Sequence, residues 1–230
     1  MGVIEKTSTV ISSKKSGSIT KSNSTNNFLT KKINNTPIKA QVTIKKEAEL
    51  LTKYEIKGNV FVPVYQVGLL KDVTYNIVAN EDIILADGSK AYTNGDIVET
   101  LTTNATQPVV SNKIPLGKYY LVETQTAPGY VLDITHYEFE LKAKDTVTEI
   151  VTHLEEHKNE KQKATITLDK TIEDSIFLDK NETVKDITFG LYVAEDILNE
   201  KKEVILAKDS LIAVSNLTNF KATFNVDLEG

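Results

Sequence analysis

The chain has 230 residues, room for about one and a half domains of average size. Hydrophobic residues make up 40% and charged residues 26%, enough apolar material for a packed core. Cysteine and tryptophan are absent, all 27 basic residues are lysine and the net charge is −5, which excludes disulfides, thiolate catalysis and cysteine-based zinc sites and argues against nucleic acid binding.

The first 36 residues are rich in Ser, Thr, Lys and Asn and read as a solvated linker carrying the end of a preceding unit. Residues 2–27 have no apolar h-region, so no secretory signal is expected in this piece. Residues 1–39 hold seven lysines and one glutamate, so the rest of the chain carries the negative charge.

From Lys39 onward the pattern is that of strands. Val42 and Ile44 alternate with polar neighbours, Tyr137 to Leu141 alternates Tyr-Glu-Phe-Glu-Leu, and Thr165 to Leu168 alternates again. Glu47 to Tyr54 is the best candidate helix, although eight residues between strand signals also fit a loop. Val60 to Leu70 is the longest apolar stretch, but Pro63, Tyr65, Gln66 and Gly68 interrupt it, far short of the roughly 18 apolar residues of a membrane helix. Asp87-Gly88, Asn94-Gly95 and Pro128-Gly129 are turn dipeptides, and the first two lack the spacing of a calcium loop. Tyr65, Tyr75, Tyr92 and Tyr130 read as core or edge packing. His153 and His157 are set on a strand and its exit, where positions four apart lie about 13 Å from each other, so no metal site is expected. Nor does a phosphate loop, a nucleophile elbow or a paired-carboxylate cleft occur, and no cofactor is called for. Many short strands separated by turns predict an all-β, antiparallel sandwich or barrel.

Two internal matches set the domain plan. Asn35 to Lys46 aligns with Asn159 to Lys170 at an offset of 124, and Leu70 to Ile83 aligns with Val184 to Ile197 at an offset of 114 with six identities in fourteen. Residues 37–160 are therefore expected to form one complete unit and 161–230 a truncated second copy. Units of this length are whole domains, so the parent protein should be a string of tandem domains.

Alternation puts Lys46 in phase with Val42 and Ile44, Lys170 in phase with Ile166 and Leu168, and Glu123 in phase with Tyr119 and Leu121. Each charge thus falls on an apolar face. A lysine at a strand end can snorkel to water. A buried charge, by contrast, must be paired or neutralised, and a lysine and a glutamate of opposite sign both fall in core phases.

Leu116-Gly-Lys-Tyr-Tyr-Leu-Val-Glu-Thr-Gln-Thr-Ala-Pro-Gly-Tyr130 resembles the E-box of the Cna-B-like, or SpaA-type, domains of Gram-positive surface proteins and pilins. The opening strand ending in Lys46 and the Asn159 that precedes the next opening strand also fit. The resemblance covers residues 37–160 and, in part, 161–230. It implies a prealbumin-like (Ig-like) β-sandwich in which a lysine and an asparagine form a spontaneous intramolecular isopeptide bond assisted by the E-box acid. On resemblance and strand phase together, Lys46 is the expected nucleophile, Asn159 the electrophile and Glu123 the acid/base, hydrogen-bonding the amide oxygen of Asn159. Burial that lowers the lysine pKa and raises the carboxyl pKa would make the pair neutral and reactive. Lys45 is the rival nucleophile but lies on the polar phase. Lys170 is the counterpart in the second unit, with its partners beyond residue 230. The implied role is a stalk module of a cell-wall-anchored protein, extracellular, with neighbouring tandem domains as partners and no membrane insertion in this fragment. An adhesin domain binding a host matrix protein or glycan, and a spacer of a secreted enzyme, are the alternatives. The chain itself is not expected to be an enzyme beyond that single intramolecular turnover.

Overall fold

The computed structural model describes residues 36–171, 187–199 and 201–227. The predicted linker, apart from Thr36, and Asn35 lie outside the described residues. No helix occurs among the described residues, and the elements are strands joined by turns.

Strand β1 (Lys39–Lys57) opens the fold and pairs on one side with β2 (Val60–Leu69), antiparallel, and on the other with β10 (Ile150–Asn159), parallel. The short β7 (Val109–Val110) also pairs with β1. A second sheet has the order β6 (Ile97–Thr102), β3 (Thr74–Ala79), β8 (Gly117–Gln125), β9 (Tyr137–Leu141), antiparallel throughout. The remaining pair, β4 (Ile83–Ile84) and β5 (Lys90–Tyr92), forms a small hairpin.

The two sheets close on a common core. Ala40, Val42, Ile44 and Ala48 of β1 face Tyr75 and Ile77 of β3, Tyr119 and Leu121 of β8, and Phe139 and Leu141 of β9. Each contribution follows the period-2 alternation of its strand, which is why one residue in two reads as apolar along β1, β3 and β8. Glu47–Tyr54, the candidate helix or loop, is instead the continuation of β1. Backbone pairing from Glu47 with Leu69 through Lys57 with Val60, interrupted by a register shift at Leu51/Lys53, holds this stretch extended against β2. An eight-residue segment is too short to nucleate a stable helix in competition with such a partner strand.

The later segment repeats part of this plan. Strand β12 (Thr188–Tyr192) pairs with β15 (Leu211–Asn216), β13 (Ile197–Leu198) with β14 (Val204–Leu206), and β11 (Lys163–Asp169) with β16 (Lys221–Asp227). Adding 114 to each residue of the β3–β6 pairing reproduces the β12–β15 pairing: Thr74 opposite Thr102 becomes Thr188 opposite Asn216, and the irregularity between Ile77 and Val78 recurs between Leu191 and Tyr192. The same shift converts Ile83 opposite Tyr92 into Ile197 opposite Leu206. A small core gathers Leu217, Ala222 and Phe224 against Phe189 and Leu191. The apolar phase of β11 is not covered in the same way: Ile166 is 41% and Leu168 38% exposed, and Lys170, next in phase, is exposed as well.

Candidate functional site

Three predicted residues meet in the core of the first sandwich. Lys46 arrives on the buried face of β1, after Val42 and Ile44, and Glu123 on the buried face of β8, after Tyr119 and Leu121. Asn159 closes β10, where the parallel register sets it opposite Ala48 and sets His157 opposite Lys46. All three are buried, at 2%, 2% and 3% relative exposure.

Their polar atoms form a closed ring. Lys46 Nζ donates to Asn159 Oδ1 at 2.6 Å and lies 2.9 Å from Glu123 Oε2, while Asn159 Nδ2 donates to Glu123 Oε1 at 2.7 Å. The phenol of Tyr75, opposite Glu123 on β3, donates to Oε2 at 3.2 Å. Asn159 Nδ2 has a second acceptor, Thr126 Oγ1, at 2.8 Å. Every oxygen of the carboxylate and both hydrogens of the carboxamide are thereby used, as a buried polar cluster requires.

One sequence expectation changes here. Glu123 contacts the nitrogen of the Asn159 amide and not its oxygen, because the lysine already occupies Oδ1. Lys45, on the opposite phase, points to the surface and pairs with Glu47 and Glu156. Lys170 stands apart from the ring, exposed at the end of β11.

The electrostatics of the site follow from burial. Desolvation lowers the Lys46 amine below its ordinary value, the nearby Glu123 carboxylate opposing the shift. Burial likewise holds the Tyr75 phenol well above its usual range, assisted by the negative Glu123, so it stays a proton donor. His157 is lowered by burial and packs its ring against Tyr137, with centroids 4.0 Å apart, and against Tyr75 at 6.1 Å. Asp133 adds a further negative charge: burial would raise its pKa, but hydrogen bonds from Thr135 and Tyr137 outweigh this and hold it at about 2.

Thr126, Asp133 and the hydroxyl role of Tyr75 were not legible in the sequence. His157 was, to a degree, since it shares the inward phase of Asn159 two residues away. Beside Asn159 lies a pocket of about 290 Å³ lined by Val131, Leu132, Asp133, Lys158, Asn159 and Glu160. Among the described residues no cluster of His, Asp or Glu is arranged to hold a metal ion.

Residues 64–156 match the family model of the SpaA domain with a prealbumin-like fold, and this part of the chain is a SpaA-type prealbumin-like domain. Among solved structures, the chain is similar to the Bacillus anthracis TIE protein, at 19% identity and a TM-score of 0.43, covering 82% of this chain and 27% of that one. It is also similar to BcpA, the major pilin subunit of Bacillus cereus (18% identity, TM-score 0.33, 56% of this chain and 31% of that one). A third is the full-length major pilin SpaD from Corynebacterium diphtheriae (15% identity, TM-score 0.36, 81% and 56%). The chain thus spans less than a third of the length of the first two. No curated protein sequence matches it.

Proposed function

We propose that residues 37–160 are a structural module of a Gram-positive cell-surface or pilus protein, locked by an isopeptide bond between Lys46 and Asn159 that Glu123 assists. The observation that carries this reading is the buried ring itself: an amine, a carboxylate and a carboxamide within hydrogen-bond distance of one another and sealed from water. An isolated buried lysine costs several kcal/mol, so a purely structural core gains nothing from the arrangement.

The chemistry balances within the three side chains. A proton passes from the Lys46 ammonium to Glu123, leaving a neutral amine whose lone pair attacks Cγ of Asn159 while the carbonyl π pair moves to Oδ1. The Nζ of the adduct gives up one more proton and Nδ2 gains one, with Glu123 as the relay, and the returning electron pair on Oδ1 expels ammonia. The products are an amide, one ammonia and a protonated Glu123.

The SpaA-type fold supports a location outside the cell and neighbouring domains of the same chain as partners. The matching registers at an offset of 114 support reading residues 161–230 as a partial second unit, after a linker over 1–36. In that unit Lys170 is the counterpart of Lys46.

Intact-mass measurement of the purified chain tests the bond. Wild type is expected to be lighter than its sequence mass by one ammonia, and Glu123→Ala to retain the full mass. Equal deficits, or none in wild type, would sink the proposal.

A further inference from the structure

We infer that Thr126 is the leaving-group acceptor of this site: its hydroxyl aims the Asn159 nitrogen and stabilises it as it departs. The inference rests on the isopeptide reading above.

The carboxamide of Asn159 has two ends with opposite needs. Its oxygen faces the Lys46 ammonium, a donor with no accepting capacity, and its nitrogen faces Glu123 Oε1, an acceptor when ionised. That contact changes sign during the reaction, because Glu123 must turn from accepting an N–H to delivering a proton. At that moment it no longer holds the nitrogen by hydrogen bonding to the original hydrogen. Thr126 Oγ1, 2.8 Å from Nδ2, is the other group in contact and needs no change of role. It accepts an N–H of the amide at the start and of the increasingly positive leaving nitrogen later, when an acceptor is most stabilising.

The position of the hydroxyl is built and not incidental. Thr126 follows the end of β8, three residues after Glu123, so both acceptors for Nδ2 come from one short stretch of chain. The loop that carries it is strapped to the exit of β10: Gln162 N–H donates to Gly129 O at 2.8 Å, Val131 N–H donates to Glu160 O at 2.8 Å, and the Tyr130 hydroxyl donates to Glu49 O of β1 at 2.8 Å. Thr126 is thereby tied to the same two strands that present Lys46 and Asn159. The pocket lined by Val131, Leu132 and Asn159 lies at this end of the site.

The test follows the reaction in time. The whole chain is made in a cell-free system, quenched in denaturant at intervals and weighed intact. Thr126→Val removes the hydroxyl at constant shape and is expected to slow ammonia loss about tenfold, the equivalent of about 1.4 kcal/mol at the transition state. Thr126→Ala, free of the branched bulk, should slow it similarly, and Thr126→Ser should restore a rate close to wild type. Melting of the same substitutions in an Asn159→Ala background, where no bond can form, should show Thr126→Val and Thr126→Ser within a few degrees of each other, separating reaction from folding. Wild-type kinetics in both Thr126→Val and Thr126→Ala, or a Thr126→Ser chain as slow as those two, overturns the role of Thr126 and leaves the isopeptide reading standing. A wild-type chain that never loses ammonia overturns both.

Discussion

Lys46 Nζ and Asn159 Oδ1 lie 2.6 Å apart although 113 residues separate them in the chain. The contact is made by the parallel pairing of β1 with β10, which brings the first and last long strands of the sandwich side by side. A covalent link at this point closes a loop of more than a hundred residues, and the chain-entropy estimate for such a closure is about 4.7 kcal/mol. Asn159→Ala is accordingly expected to lower the unfolding free energy by about 4–5 kcal/mol. Guanidinium unfolding of the two proteins measures this, and a loss below about 1 kcal/mol would show that no loop is closed.

The ring also makes a prediction about charge. Glu123→Ala strands the Lys46 amine in a site with 0% side-chain exposure. Breaking a buried pair on one side costs about 3–5 kcal/mol, whereas removing both charges in favour of apolar groups is often neutral. In chains that carry no bond, Glu123→Ala should therefore be less stable than Lys46→Met/Glu123→Leu, as a comparison of denaturant midpoints will reveal.

His157 sets an acid limit on the fold. Its pKa is lowered by burial from the ordinary 6.5, with Glu155 raising it and Lys46 lowering it further. Below 6.5 the unfolded chain binds a proton that the native chain resists, so stability is complete above that value and declines as pH falls through the window beneath it. His157→Phe keeps a ring between Tyr75 and Tyr137 but cannot titrate. Its melting temperature should fall less than that of wild type between about pH 7 and about pH 5, the range in which an imidazole changes charge. Parallel curves would show that His157 does not set the acid limb.

Gly117 opens β8, the strand that carries Glu123, with φ of +151°. A Cβ there would sit 2.5 Å from Cδ1 of Ile83, itself buried at 1% exposure. Gly117→Ala is expected to destabilise the domain by about 1–3 kcal/mol through backbone strain and this clash. Thermal melting checks it, and an unchanged midpoint would show that the turn relaxes freely.

Much of this was legible in the residues. The alternation of Val42, Ile44 and Lys46, and of Tyr119, Leu121 and Glu123, marked a lysine and a glutamate as core-facing, because strand periodicity is a local property of two neighbouring peptide units. Turn dipeptides marked the punctuation, and the internal match at an offset of 114 anticipated a β12–β15 register that copies β3–β6 residue by residue. Glu47–Tyr54 reads from its residues as a helix or a loop and is neither, because a partner further along the chain, strand β2, holds it extended and local pattern does not show that partner.

What composition and periodicity determined about this protein, then, is the class of fold, the phase of each charged side chain and the absence of any cysteine cross-link. Which charges meet was decided by tertiary structure. The register between β1 and β10, and the facing of β8 across the core, bring Lys46, Glu123 and Asn159 within 3 Å of one another, and the strapped loop after β8 delivers Thr126 to the same nitrogen. Lys170 shows the converse. Its phase matches that of Lys46, yet it lies exposed, because a strand's apolar face is a core only where a second sheet covers it.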